Sequence, residues 1–167
     1  PPTGQAYTRT TYNTYNNSNE QAVVLGNNVT MQDTVTATGQ IVSDPASKVA
    51  LNGDVTSTAG IGTVTTEQFD ASNTQTGKTV IDSMDDSVSG GIILGETTAG
   101  AVTLKTEGGN ISLGDNSILD GTTVSAESAD LNKTVYSNDG GSWNTIASTE
   151  KLGTIEGSVT LGENLSL

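Results

Sequence analysis

Residues 109–119 read G-N-I-S-L-G-D-N-S-I-L, and residues 157–167 read G-S-V-T-L-G-E-N-L-S-L. The copies share Gly109/Gly157, Leu113/Leu161, Gly114/Gly162, Asn116/Asn164 and Leu119/Leu167. Q-A-V-V-L-G-N-N (21–28) and G-G-I-I-L-G-E-T (90–97) carry the same kernel: an aliphatic residue two before a Leu, then Gly, then a short polar acceptor. Alternation lays the two aliphatic side chains on one face of a strand. Glycine permits a positive φ, and Asn or Asp supplies local hydrogen bonds that close a turn. Each unit therefore predicts a strand ending in a sharp corner, with Leu25, Leu94, Leu113 and Leu161 buried. The spacing of those leucines is irregular. It argues against a solenoid of fixed period and for a recurring corner in a β-sandwich or an irregular β-helix.

The rest of the chain after residue 20 fits a mainly β fold of short strands separated by Gly, Asn and Asp. V-T-M-Q-D-T-V-T-A-T (29–38) alternates and predicts a strand over Val29–Ala37, with Val29, Met31, Val35 and Ala37 on one face; Asp33 falls on that face too and predicts a bend, a bulge or an inward polar contact. V-A-L-N-G-D-V-T (49–56) reads as strand, Asn-Gly turn, strand. Strands are also expected at Val102–Leu104, Ile111–Leu113 and Val159–Leu161. The 28 Thr suit half-exposed pleats, because a β-branched residue with a hydroxyl packs on one side and faces water on the other. Little helix is expected. The best candidate is 125–133, with Ser125 as cap, Glu127 in the first turn and Lys133 at the negative end; 148–153 is a candidate for a single turn.

Composition narrows the function. Asp and Glu number 19 against 6 Lys and Arg, a net charge of −13. A chain this anionic is repelled by phosphate backbones and anionic bilayers, so neither nucleic-acid binding nor membrane docking is expected. No apolar run is long enough to span a bilayer, so no membrane insertion is expected either. There is no Cys and no His, which removes disulfides, thiolate nucleophiles, the usual zinc ligands and Ser-His-Asp arrangements. No catalytic, cofactor-binding or metal-binding residue is expected. The sequence opens Pro-Pro, which reads as a trimmed start.

Residues 1–20 differ from residues 21–167. They hold Tyr7, Tyr12, Tyr15 and the single Arg, Arg9, but no Val, Ile or Leu. Such a stretch cannot fold alone. It reads as a loose tail or, in the sharper reading, as an extended N-terminal arm (1–20) beside a β-rich domain (21–167), with the three tyrosines as assembly contacts on a neighbouring subunit. The 34 Val, Ile and Leu make a thin core for 167 residues, which favours burial against copies of the same chain.

Other constellations carry less. Asp82, Asp85 and Asp86 crowd one short stretch, but no D-x-D-x-D-G loop occurs, and the cluster reads as a solvated acidic turn. Trp143 follows a Gly-rich turn; it reads as a plug at the end of the core, with a ligand contact as the rival role. N-x-S/T sequons begin at Asn16, Asn28, Asn110, Asn132 and Asn164.

T-T-V-S-A-E-S-A-D-L-N-K-T-V (122–135) resembles the short T-A-x-E-L-N linker of bacteriophage head-fibre and tail-fibre proteins. The match lies on Val124, Ala126, Ala129, Asp130, Leu131 and Asn132, with Asp130 where Glu is usual. The L-G-D-N corners and T-V-T-A-T-G-Q are similar to such fibres as well. The resemblance implies a non-enzymatic virion surface protein, a fibre or capsid decoration, that assembles as an oligomer with other virion proteins and stabilises the shell or engages a host-surface receptor. One copy of the linker, rather than tandem copies, implies a short fibre or a decoration knob. The rival reading is a subunit of a secreted extracellular filament or adhesin that assembles by strand donation between subunits.

Overall fold

A computed structural model of the chain describes residues 4–15 and 20–167. All regular structure among them is β. In chain order, β1 (Tyr7–Asn13) is followed by a coil of three short strands, β2 (Gln21–Leu25), β3 (Val29–Met31) and β4 (Val35–Thr38). A second coil follows: β5 (Gln40–Ser43), β6 (Lys48–Leu51) and β7 (Val55–Thr58). Then come two long strands, β8 (Gly60–Phe69) and β9 (Gln75–Val88), and a third coil of β10 (Gly90–Leu94), β11 (Glu96–Ala99) and β12 (Thr103–Glu107). The fourth coil is β13 (Gly109–Leu113), β14 (Ile118–Leu119) and β15 (Thr123–Glu127). A second long pair, β16 (Ala129–Asp139) and β17 (Ser142–Ile155), precedes β18 (Val159–Leu161), which opens a fifth coil.

The chain divides into two compact units. One holds residues 17–60, 88–129 and 154–167, and within it every strand pair is parallel. Its three sheets run β18-β13-β10-β5-β2, β14-β11-β6-β3 and β15-β12-β7-β4, so each complete coil gives one strand to each sheet. This is a β-helix, a three-sided solenoid. Its register shows the repeat that the leucine spacing hides. Val29 pairs with Val49, Val35 with Val55 and Leu104 with Val124, each a step of 20 residues. Val55 to Leu104 is 49 residues and Ile111 to Val159 is 48, because one long strand pair is inserted in each step. Both insertions fall at the equivalent place in the coil, between a strand of the third sheet and one of the first.

Inward residues form columns through the stack. Val23, Ile41, Ile92, Ile111 and Val159 make one; Met31, Leu51, Ala99 and Leu119 make another. Ile41, Ile92, Leu104, Ile111 and Val55 are wholly buried, as are the polar Ser57, Thr97, Thr106 and Ser117. Burying one such aliphatic side chain contributes about 1.5–3 kcal/mol. The buried hydroxyls serve the corners, where strand pairing is interrupted. Ser57 Oγ donates to Gly39 O (2.6 Å) and accepts from Gly91 N (2.8 Å). Ser117 Oγ donates to Gly114 O (2.7 Å) and accepts from Thr97 N (2.9 Å). Among the described residues no buried side-chain polar atom lacks a hydrogen-bond partner.

The repeated corner differs in mechanism from the sequence expectation. The positive φ falls on the asparagine, at Asn28 (54°), Asn116 (64°) and Asn164 (56°), and not on Gly26, Gly95, Gly114 or Gly162. The glycines answer a different need. A Cβ on Gly114 would lie 2.7 Å from Gly95 C, and one on Gly95 would lie 2.2 Å from Ser47 O. Consecutive coils approach too closely there for any side chain. Two further expectations change. Residues 125–133 and 148–153 are strand rather than helix, in β15, β16 and β17. Val124 and Ala126 stack at period two on Leu104 and Thr106, and that pairing overrides a weak local helix preference. The Asn52-Gly53 turn joins β6 and β7 without pairing them; each pairs with other coils, and the turn is a solenoid corner. Residues 29–37 are not one strand either: a bend at Asp33 separates β3 from β4, which belong to different sheets.

The other unit, residues 1–16, 61–87 and 130–153, is an antiparallel sheet in the order β1-β8-β9-β16-β17. Asp70 closes its first hairpin by accepting from Ser72 N and Thr74 N, both at 2.9 Å. Gly140 and Gly141 close the second with φ of 62° and 97°, values suited to the twist of a tight hairpin. Most of β17 is exposed.

Candidate assembly surfaces

Among the described residues, each one singled out from sequence has a definite place. Tyr7 stacks on Phe69 with ring centroids 4.8 Å apart and donates its hydroxyl to Asn73 Oδ1. Arg9 lies over the same Phe69 ring and pairs with Glu67 at 3.0 Å. Tyr7–Asn13 is thus an extended strand that takes a full partner, β8, within its own chain. Tyr12 stands 71% exposed on that strand, and Tyr15 is half-buried. Trp143 is half-buried near the start of β17.

Asp82, Asp85 and Asp86 lie along β9, not in a turn. Asp82 Oδ2 accepts from Asn132 N at 2.9 Å, which ties β9 to β16. The strand alternation turns successive carboxylates to opposite faces. No group of three or more His, Cys, Asp or Glu that could hold a metal ion occurs among the described residues. Of the sequons, Asn28 and Asn164 sit at exposed solenoid corners, and Asn110 is exposed and accepts from Ser158 N at 3.0 Å. Asn132 is half-buried; Asn16 lies outside the described residues.

The outer faces of the solenoid offer shallow grooves. One of about 450 Å³ is lined by Val24, Val42, Ile93 and Pro45 with Gln21, Gln40 and Asp44. Another of about 220 Å³ lies beside the Lys48–Glu96 ion pair (3.6 Å). On the third sheet Lys105 bonds Glu107 at 2.9 Å. That hydrogen bond, with the charges of Glu107 and Glu127, raises the lysine above its ordinary value of 10.5. These are stabilising surface pairs. They do not bring a nucleophile and a base together.

The solenoid ends were not read from sequence. In the first coil the inward Val23, Leu25, Val29, Met31, Val35 and Ala37 are only half-buried, whereas the second coil buries Ile41, Val49, Leu51 and Val55. At the opposite end Val159 continues the inward Ile111 column yet is 42% exposed, and Leu167 is 79% exposed. The signal for this was present only in the register, since an end coil has a neighbour on one side. No family model, no curated protein and no solved structure matches the chain.

Proposed function

We propose that this protein is a non-enzymatic structural component of a virion surface, a short fibre or capsid decoration, working as an oligomer with copies of itself and other virion proteins. The observation that carries the reading is the self-similar parallel solenoid, whose core runs through the stack as continuous columns and whose hydroxyls are spent on holding corners. Such a scaffold gives length and rigidity, and its stability grows by neighbour-to-neighbour stacking. The linker-like 122–135 segment, which spans the step from β15 into β16, supports the virion over other surfaces. A net charge of −13 keeps such a protein off nucleic acid and favours solubility at a surface. A host-surface receptor is a further partner in this reading.

The half-buried inward residues of the first coil favour a second reading, a subunit of an extracellular filament. Immunogold electron microscopy of material from the native source separates the two. Label on the shell or fibres of virus particles supports the first, and label along free filaments supports the second. Label on neither overturns both.

A further inference from the structure

β17 forms one edge of the antiparallel sheet, and among the described residues no strand lies beyond it in the order β1-β8-β9-β16-β17. Edge strands are ordinarily short, or blunted by Pro, bulges or charge, because an open row of N–H and C=O groups pairs with any strand that reaches it. β17 has 14 residues. From Ser142 to Leu152 it holds no Pro and no Gly, and its charges are one Glu and one Lys, Glu150 and Lys151. Lys151 is tied inward to Asp130 of β16 at 3.4 Å. Residues 144–152 are exposed on both faces, with Ile146 at 60% and Leu152 at 50%. The residues outside the described set, 1–3 and 16–19, flank β1 in sequence, and β1 is the opposite edge of this sheet.

We propose that β17 pairs antiparallel with β17 of a second copy of this chain, about a two-fold axis at Thr149. Only alternate residues of an edge strand turn N–H and C=O outward, so a two-fold antiparallel pair sets one residue against its own copy. Centring the pair on Glu150 or Lys151 would oppose like charges, which is destabilising. Centring it on Ala147 or Ser148 sets Ile146 against Ser148 or Glu150. Centred on Thr149, Ile146 of each copy meets Leu152 of the other, Ser148 meets Glu150 and Ala147 meets Lys151. Thr149 then faces Thr149, a pair whose hydroxyls can hydrogen-bond. Strand alternation puts Ile146, Ser148, Glu150 and Leu152 on one face, so both apolar pairs form on that face. The two sheets become one continuous sheet, and the interface closes on itself as a dimer.

Charge supports a second copy over a basic partner. The chain carries a net charge of −13, yet Ser142–Ile155 carries one Glu and one Lys and is locally neutral. The strand gives no attraction to a cationic peptide, and it is a place where two anionic chains can meet without opposed carboxylates. Repulsion between the rest of the two chains remains, so association should strengthen as salt screens it, whereas a basic partner would be released. A ladder this short buries less than the roughly 1,600 Å² of a standard interface, which puts the dissociation constant between about 1 μM and 1 mM.

The inference rests on the oligomer reading above but is tested apart from it, in the purified chain rather than by location. Sedimentation velocity up to about 1 mM, at low and high salt, should show the chain dimerising, more strongly in high salt. Ile146→Lys and Leu152→Glu should each weaken association by about tenfold or more, because each sets a charge against an apolar side chain at two symmetric places. The double variant Ile146→Lys/Leu152→Glu should recover association, since every new Lys then faces a new Glu. An equimolar mixture of the two single variants should form a heterodimer in preference to either homodimer. All should keep the wild-type circular dichroism and unfolding midpoint when dilute, because both side chains are exposed. A wild-type chain monomeric up to about 1 mM, single variants that associate like wild type, or a double variant and a mixture no better than the singles would each overturn the proposal. An oligomer indifferent to these substitutions would remove this interface and leave the virion reading to the labelling experiment.

Discussion

Gly114→Ala and Gly26→Ala form a matched pair that tests why the repeated corner uses glycine. Both positions have ordinary φ, so alanine is conformationally acceptable at each. Both substitutions stiffen the unfolded chain, a gain of about 0.4–1 kcal/mol that cancels in the comparison. What differs is space. The new methyl at 114 would lie 2.7 Å from Gly95 C and 3.0 Å from Glu96 N, where carbon atoms prefer about 3.5–4.0 Å. Those atoms are backbone of the neighbouring coil, locked in parallel pairing on both sides, so relief requires the coils to part. Overpacking of this kind costs about 1–3 kcal/mol. At 26 the methyl meets nothing within 4 Å among the described residues. Gly26→Ala should therefore be neutral or slightly stabilising, with Gly114→Ala lower by about 1–3 kcal/mol, or about 2–12 °C in midpoint for a chain of this size. Chemical and thermal unfolding, followed by circular dichroism at a concentration where the protein is monomeric, would measure both. Equal stabilities would refute the close-approach argument. A loss at both positions would point instead to a backbone conformation that alanine cannot adopt.

Asn116, with φ of 64°, should lose about 1 kcal/mol or more on change to Ala and much less on change to Gly, measured by denaturant midpoint; equal losses would show that its side chain, not its conformation, matters. Ser57→Ala should cost about 1–3 kcal/mol by the same assay, because Gly91 N–H and Gly39 C=O lose a buried partner. Lys105 has a folded pKa raised by Glu107, so its contribution is complete below the ordinary value of 10.5 and disappears as pH rises through the raised one. Stability of wild type against Lys105→Met should thus converge only in the alkaline range above about pH 10.5, by a small amount because the pair is exposed; a difference that instead vanished on acidification toward neutrality would contradict this.

Much of the local structure was legible because it is written in neighbouring residues. The alternation in Ile92–Leu94 and Ile111–Leu113 specifies an extended chain with one apolar face, and both stretches are strands with those residues buried. The corner after each Leu was legible too, since Gly followed by short polar residues is a local instruction for a turn. The cause of the glycine was not. A glycine allowed a positive φ and a glycine kept clear for another coil look identical in one dimension, and the second depends on atoms some 20 residues away or more. The period was equally hidden. Leu94 and Leu113 lie one coil apart, but the β8–β9 and β16–β17 insertions stretch the other intervals, and only parallel pairing brings Val55 against Leu104 and Ile111 against Val159. Residues 125–133 show the same limit from the other side. Their Ala, Glu and Ser content suits a helix taken alone, yet Val124 and Ala126 gain more by stacking on Leu104 and Thr106 than a short isolated helix could return. Sequence determined the strand faces and the corners, because backbone conformation and side-chain alternation are local. Tertiary structure decided which strands are neighbours and which coil is left with an open face, because those follow from non-local pairing.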